Sequence, residues 1–320
     1  MITSRNAKSH LVGNQNPIIW TEIKNNKYSF NPVLRQLGFD SDTLYDKILK
    51  SHPNPTASHV VIEVGCFRLD QSMAASALGF RTLSLDASPL NFQKMKEQFE
   101  RLPDEQKSRM ELYPKAVSDK SGKILEFASI GGTGDHAVGV HIDQGNAKYV
   151  NNRDKAVVQV ETVALDDLIM SSSSTISSVF LLKVDVQGHE ASVFRGLSKS
   201  IKGGKIRYIL FEYWVDALDQ ASKQDFGSCT AVKDILIPLV DAGYDLFDLS
   251  VSAHPKAGTK VTHAYTQRYY RPLDFKANCH WFASRGAADR KAMVNNGEEP
   301  YTMGYWTDIL AVYKGELMIV

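Results

Sequence analysis

Two stretches of this chain leave little freedom over what it can fold into. Val60-Val61-Ile62-Glu63-Val64 and Val179-Phe180-Leu181-Leu182-Lys183-Val184-Asp185 are runs of large apolar side chains, each with an acid at or near its end. A strand with one wet face alternates apolar and polar residues, whereas a strand covered on both faces is nearly all apolar. Strands of the second kind belong to parallel sheets, whose neighbours are joined by helical crossovers. The intervening chain supplies those helices. One is predicted over Asp70–Leu78, stopped by Gly79, and another begins at Pro89, a favoured first helical position, and runs to about residue 101. Arg81–Leu85, ended by Asp86, reads as the second strand. Further strands are expected at 110–113, 207–211, 244–249 and 308–313, with helices at 190–197 and 232–242, while 123–127 and 157–160 bracket a long polar loop. The expected class is α/β, a mostly parallel sheet with helices on both faces.

Residues 1–57 read as a helical N-terminal extension, closed by the linker Ser51-His52-Pro53-Asn54-Pro55. Residues 58–320 read as the main domain, with a core over about 58–250, an insertion over about 251–305 and a closing strand over about 306–320. Lysine plus arginine is 37 and aspartate plus glutamate is 36, a net charge of +1, so the basic excess of a nucleic-acid binder is absent. The expectation is a protein with no nucleic-acid partner. No apolar run approaches the roughly 18 residues of a membrane span, and no signal peptide is apparent, so a cytoplasmic location is expected. The three cysteines, Cys66, Cys229 and Cys279, are far apart in sequence and read as separate thiols of a reducing compartment.

In an open α/β sheet ligands bind beyond the carboxyl ends of the strands. Three places there carry chemistry. Glu63-Val64-Gly65-Cys66-Phe67-Arg68 follows the first buried strand, and Gly65 permits a tight turn towards a ligand. It has one glycine where a dinucleotide fingerprint needs three, which argues against an NAD-dependent oxidoreductase. Asp86 follows at the spacing from which a carboxylate takes both hydroxyls of a ribose; its plain alternative is a helix cap. A ribose site without a phosphate loop points to a nucleoside such as S-adenosylmethionine (SAM). The third place is Asp185 to Glu190, two acids around Gly188.

This third segment carries a resemblance. Lys183-Val184-Asp185-Val186-Gln187-Gly188-His189-Glu190, continued by Val193-Phe194 and Gly196, resembles the signature of the FkbM family of SAM-dependent methyltransferases. Val160 to Leu168 (with Thr162, Leu165, Asp166 and Asp167), Ala116-Val117-Ser118-Asp119 with Gly122, and Ile209-Leu210-Phe211-Glu212 are similar to its other segments, in the family's order. The chain differs at the first loop and at Gln187, where the family usually has glutamate. The resemblance implies a Rossmann-like class I methyltransferase fold with a late antiparallel strand and SAM as cofactor. It places Glu63 and Gly65 at the methionine end, Asp86 on the ribose, and Ala116 and Val117 beside the adenine. It implies methyl transfer to a hydroxyl of a small molecule, sugar or lipid, with Asp185, Glu190 or His136 as general base. The alternative is a methyltransferase-like binding protein without catalysis.

The glycine-rich loop before His136 lacks a P-loop's Gly-Lys-Ser/Thr ending and reads as a lid or substrate loop. His254, His263, His280 and Cys279 match no structural zinc spacing, so no metal is expected.

Overall fold

The structure is a computed structural model and describes residues 41–129, 135–137, 156–171, 176–224, 228–248, 268–270 and 306–314. Strands β1 (Val60–Val64), β2 (Arg81–Leu85) and β3 (Met110–Tyr113) lead into a small second sheet. That sheet comprises β4 (Ala116–Val117), β5 (Ile124–Ser129), β6 (His136–Ala137) and β7 (Ala156–Val163). Then come β8 (Val179–Val184), β9 (Ile206–Trp214), β10 (Tyr244–Asp248), β11 (Arg268–Tyr270) and β12 (Trp306–Tyr313). The main sheet has the order β11-β10-β12-β9-β8-β1-β2-β3. From β3 to β9 neighbours are parallel, while β12 runs antiparallel between β9 and β10.

This is the α/β architecture expected, and the two uninterrupted apolar runs, β1 and β8, lie side by side at its centre. Alternate residues point to opposite faces. Val60, Ile62 and Val64 join Leu182, Val184, Ile209 and Phe211 in the larger core cluster. Val61, Leu181, Leu210 and Leu310 pack on the other face with Leu44, Tyr45, Ile48 and Leu49 of helix α1 (Ser41–Ser51). Those four helix residues are at most 2% exposed, and burying each contributes roughly 1.5–3 kcal/mol before ordering costs. The described end of the N-terminal extension thus covers one face of the sheet. Residues 1–40, and the insertion apart from β11, lie outside the described residues.

Three local expectations change. Residues 123–127 and 157–160, read as bracketing a loop, pair with each other in antiparallel register. The stretch expected as one helix over 232–242 begins as a π-helical turn, Val232–Leu236, before α-helix Ile237–Asp241. Pro238 has no N–H to donate and crowds the preceding turn, so the regular ladder cannot run through it. Cys66 is a free, buried thiol, whereas Cys229 is disulfide-bonded and so is not a separate thiol as expected. Among the described residues no helix is long and apolar enough to cross a membrane.

Candidate active site

Strand register builds the site. Val64 pairs with Leu85 on one side and Val184 on the other, and Val184 pairs with Phe211. The next residue of each strand therefore falls into one row along the carboxyl edge: Asp86, Gly65, Asp185, Glu212. Asp308 of β12 stands directly opposite Glu212. A cleft lies over the Asp86, Gly65 and Asp185 part of this row, with Leu85, Val117 and Phe127 as apolar wall and Asp86, Asp135 and Asp185 among its polar groups.

At the Asp86 end the loop after β1 folds back over β2. Phe67, held in a left-handed conformation (φ 51°), donates its N–H to Asp86 Oδ2 at 2.8 Å, and Ser88 N donates to Oδ1 at 2.8 Å. Ser88, not Asp86, caps the helix Pro89–Glu100, its hydroxyl accepting from Asn91 N. Burial pushes Asp86 up to about 6; the two N–H groups pull it back and Asp135 nearby adds to the rise. Arg68 and Lys94 stand 5.2 and 5.6 Å from the centre of the Phe67 ring, within cation–π reach.

Gly65 lines the cleft, but a neighbour requires it to be glycine. It has φ +79°, and a Cβ there would come within 1.8 Å of the Asp185 carbonyl oxygen. Glu63 does not reach the cleft. It is 2% exposed, accepts from the Ser72 hydroxyl at 2.5 Å, and so ties β1 to helix Asp70–Leu78. Val117 reaches the cleft wall, whereas Ala116 packs with Phe127, Ala137 and Val160 in the small sheet. His136 is 3% exposed, on β6 opposite Ala128, and its neighbour Asp135 is the one that lines the cleft.

At the Asp185 end the chain turns through two left-handed residues, Gln187 (φ 53°) and Gly188 (φ 95°). Glu190 is fully buried beneath this turn, and its Oε1 accepts from Val186 N and Gly188 N at 3.1 and 3.3 Å. Its Oε2 is buried with no hydrogen-bond partner. Glu190 thus braces the loop from below. Burial pushes it up to about 7 against the pull of those N–H groups, and Asp185 adds to the rise. Glu212 is pushed well above the usual carboxylate range, first by its packed surroundings and then by Asp185, Glu190 and Asp308. Gln187 Nε2 donates to Asp185 Oδ1 at 2.9 Å and to Glu212 Oε2 at 3.3 Å.

Other matched segments are structural. Asp166 caps helix Ser198–Lys202 by accepting from Lys199 N and Ser200 N, both at 2.8 Å. Thr162 accepts from Lys123 N and donates to Lys120 O, holding the 118–123 turn. Gly196 leaves room for the Ser118 carbonyl, 2.0 Å from where a Cβ would sit.

Sequence reasoning missed Asp135 and Phe67 as cleft residues, and Glu212 and Asp308 as members of the acid group. Glu212 had a usable signal, since it directly follows the apolar run Tyr208–Phe211. The loop between Ser129 and Asp135 lies outside the described residues, as do His254, His263, Cys279 and His280. Among the described residues no cluster could hold a metal ion.

The cleft suits a nucleoside without phosphates. Each Asp86 oxygen takes one backbone N–H and the Asn91 side chain adds a third hydrogen bond, so of a carboxylate's about four acceptor positions one remains for a ligand hydroxyl. The apolar wall suits a flat base. Lys115 at the rim is paired with Glu161 at 2.5 Å, and the loop has no glycine-rich phosphate nest.

A parallel sheet closed by an antiparallel strand, with an acid directly after β2, is the arrangement of a class I methyltransferase fold. A family model, the methyltransferase FkbM domain, matches residues 12–246, and the chain belongs to that family. It is a SAM-dependent methyltransferase. Similar solved structures include the precorrin-6y C5,15-methyltransferase of Geobacter metallireducens, 9% identical over 84% of this chain and 88% of that one, TM-score 0.35. The dimethyladenosine transferase of Plasmodium falciparum is 8% identical over 87% and 64%, TM-score 0.36. The O-methyltransferase TomG of Streptomyces achromogenes is 11% identical over 86% and 79%, TM-score 0.33. The family membership rests on the sequence match alone. Among curated proteins, none matches the chain.

Proposed function

We propose that the chain transfers the methyl group of SAM to a hydroxyl oxygen of a small molecule, sugar or lipid, with Asp185 as the general base. The observation that carries this reading is the row Asp86–Gly65–Asp185 under one cleft. It sets a ribose-holding acid and a proton-accepting acid one strand apart on each side of a residue without a side chain.

SAM supplies an electrophilic methyl on a sulfonium sulfur. The chain's residues then hold donor and acceptor in line, which is most of what such a transfer needs. Asp86 holds the ribose, Leu85, Val117 and Phe127 flank the base, and Asp185 accepts the hydroxyl proton as the oxygen–carbon bond forms. Of the other two bases considered, Glu190 is enclosed by its own loop and His136 sits in the small sheet. Their roles in this reading are to support the site.

The test is incubation of the protein with hydroxylated metabolites and methyl-labelled SAM, with identification of the labelled product. A methyl ether is the expected result. Label on nitrogen or carbon would overturn the hydroxyl assignment. Tight SAM binding without any labelled product across sugar, lipid and small-molecule pools would favour a binding protein instead.

A further inference from the structure

The acids at the far end of the row are brought side by side by strand register. Glu212 and Asp308 face each other across the β9–β12 ladder, and like charges directly opposite in a sheet repel. Asp185 falls beside Glu212 on β8, and Glu190 rises from beneath the loop with one oxygen unpartnered. Lys183 of β8 is the cation that acts on Glu212 from the same strand pair. Glu190 and Glu212 are both raised, first by burial and then in part by Asp185 beside them.

Into this group reaches one neutral side chain. Gln187 is one of four non-glycine residues with left-handed backbone among the described residues, and with Phe67 it lines the cleft. Strained backbone that persists at a site is a pointer to function. Its amide nitrogen has two hydrogens, directed to Asp185 Oδ1 and Glu212 Oε2. An ionised glutamate there, the residue the family usually has, would offer neither.

We propose that Gln187 is a positioning residue whose amide clamps Asp185 to Glu212. The clamp fixes one oxygen of Asp185 and leaves the other to the cleft. It also spares the group a further acid and the extra proton that acid would bind. Gln187 touches no reacting atom; it acts through Asp185, and the proposal rests on the reading of Asp185 as base.

The experiment is a carbon-13 NMR titration of the carboxyl resonances of Asp185, Glu190 and Glu212 in the full chain with S-adenosylhomocysteine bound. Wild type is compared with Gln187→Met and Gln187→Glu. Loss of hydrogen bonds to charged groups in Gln187→Met should raise the acid midpoint of the group by about one pH unit, a tenfold change. Gln187→Glu should raise it further and add a proton to the group at neutral pH. Midpoints unmoved in both variants would overturn the clamp, and so would a shift in Gln187→Glu alone, which would report added charge and no lost hydrogen bond. The titration needs no methyl acceptor, so it separates the two readings. Shifted midpoints beside an Asp185→Asn variant that still turns over would keep the clamp and discard the base.

Discussion

Asp86 and Asp185 end two strands of one sheet, on either side of Gly65, and are held in opposite ways. Asp86 is gripped by two backbone N–H groups, from Phe67 and Ser88, and by the Asn91 side chain, with Asp135 the one acid acting on it. Asp185 is gripped by one side-chain amide and acts on two further carboxyls, Glu190 and Glu212. Backbone donors fix a carboxylate's geometry, which suits the proposed hold on a ribose. In the proposed reading one sheet edge thus divides binding from chemistry between two acids with different sets of partners.

The contrast breaks most sharply at Asp185. Asp185→Asn should lower turnover by about 10²–10⁴-fold, the range for a lost general base, while SAM affinity stays within a few fold. Steady-state kinetics with calorimetry checks both halves, and a variant that turned over normally would end the division of labour. Next, Asp86→Ala should weaken SAM binding by about 1.5–3 kcal/mol through loss of charge-assisted hydrogen bonds to the ribose. Calorimetry reads this directly, and unchanged affinity would remove Asp86 from the site.

The smallest effect sharpens the comparison through pH. Burial raises Asp86 from 3.8 to about 6, so the folded protein holds its proton more tightly than an unfolded chain does. Ribose hydroxyls donate to the ionised form. SAM affinity should therefore rise with pH up to about 6 and level off above it. Below that point it should fall by up to about tenfold per unit. Asp86→Ala should flatten the profile between pH 5 and 7, as binding measured across that range would show.

The parts of this molecule that were legible share one property: their signal is local. β1 and β8 are covered on both faces, so their burial is written in consecutive residues. Asp86 and Asp185 follow such runs directly, and the motif around Gly188 is contiguous. Partners brought together by register carry no such mark. Nothing near Asp308 says that it faces Glu212, and nothing near Phe67 says that its N–H serves Asp86. β5 and β7 are half exposed at one edge, so their pattern reads as loop boundary and the small sheet stayed hidden. Glu63 and Glu190 look like Asp86 and Asp185 in sequence. The side of the sheet surface each lies on, decided by packing, makes one pair braces and the other pair cleft residues.

The position of β12 has a consequence for how the molecule is made. It lies between β9 and β10, both of which precede it in the chain. During synthesis those two strands exist before the strand that separates them, each with an unsatisfied edge. Open edges are templates for pairing with the wrong chain, and pairings between distant segments form late. A ribosome that has delivered everything up to residue 305 has therefore supplied Asp86, Asp185, Glu190 and Glu212 but not Asp308, the acid that faces Glu212. The last member of the acid group arrives with the strand that also fills the gap between two open edges.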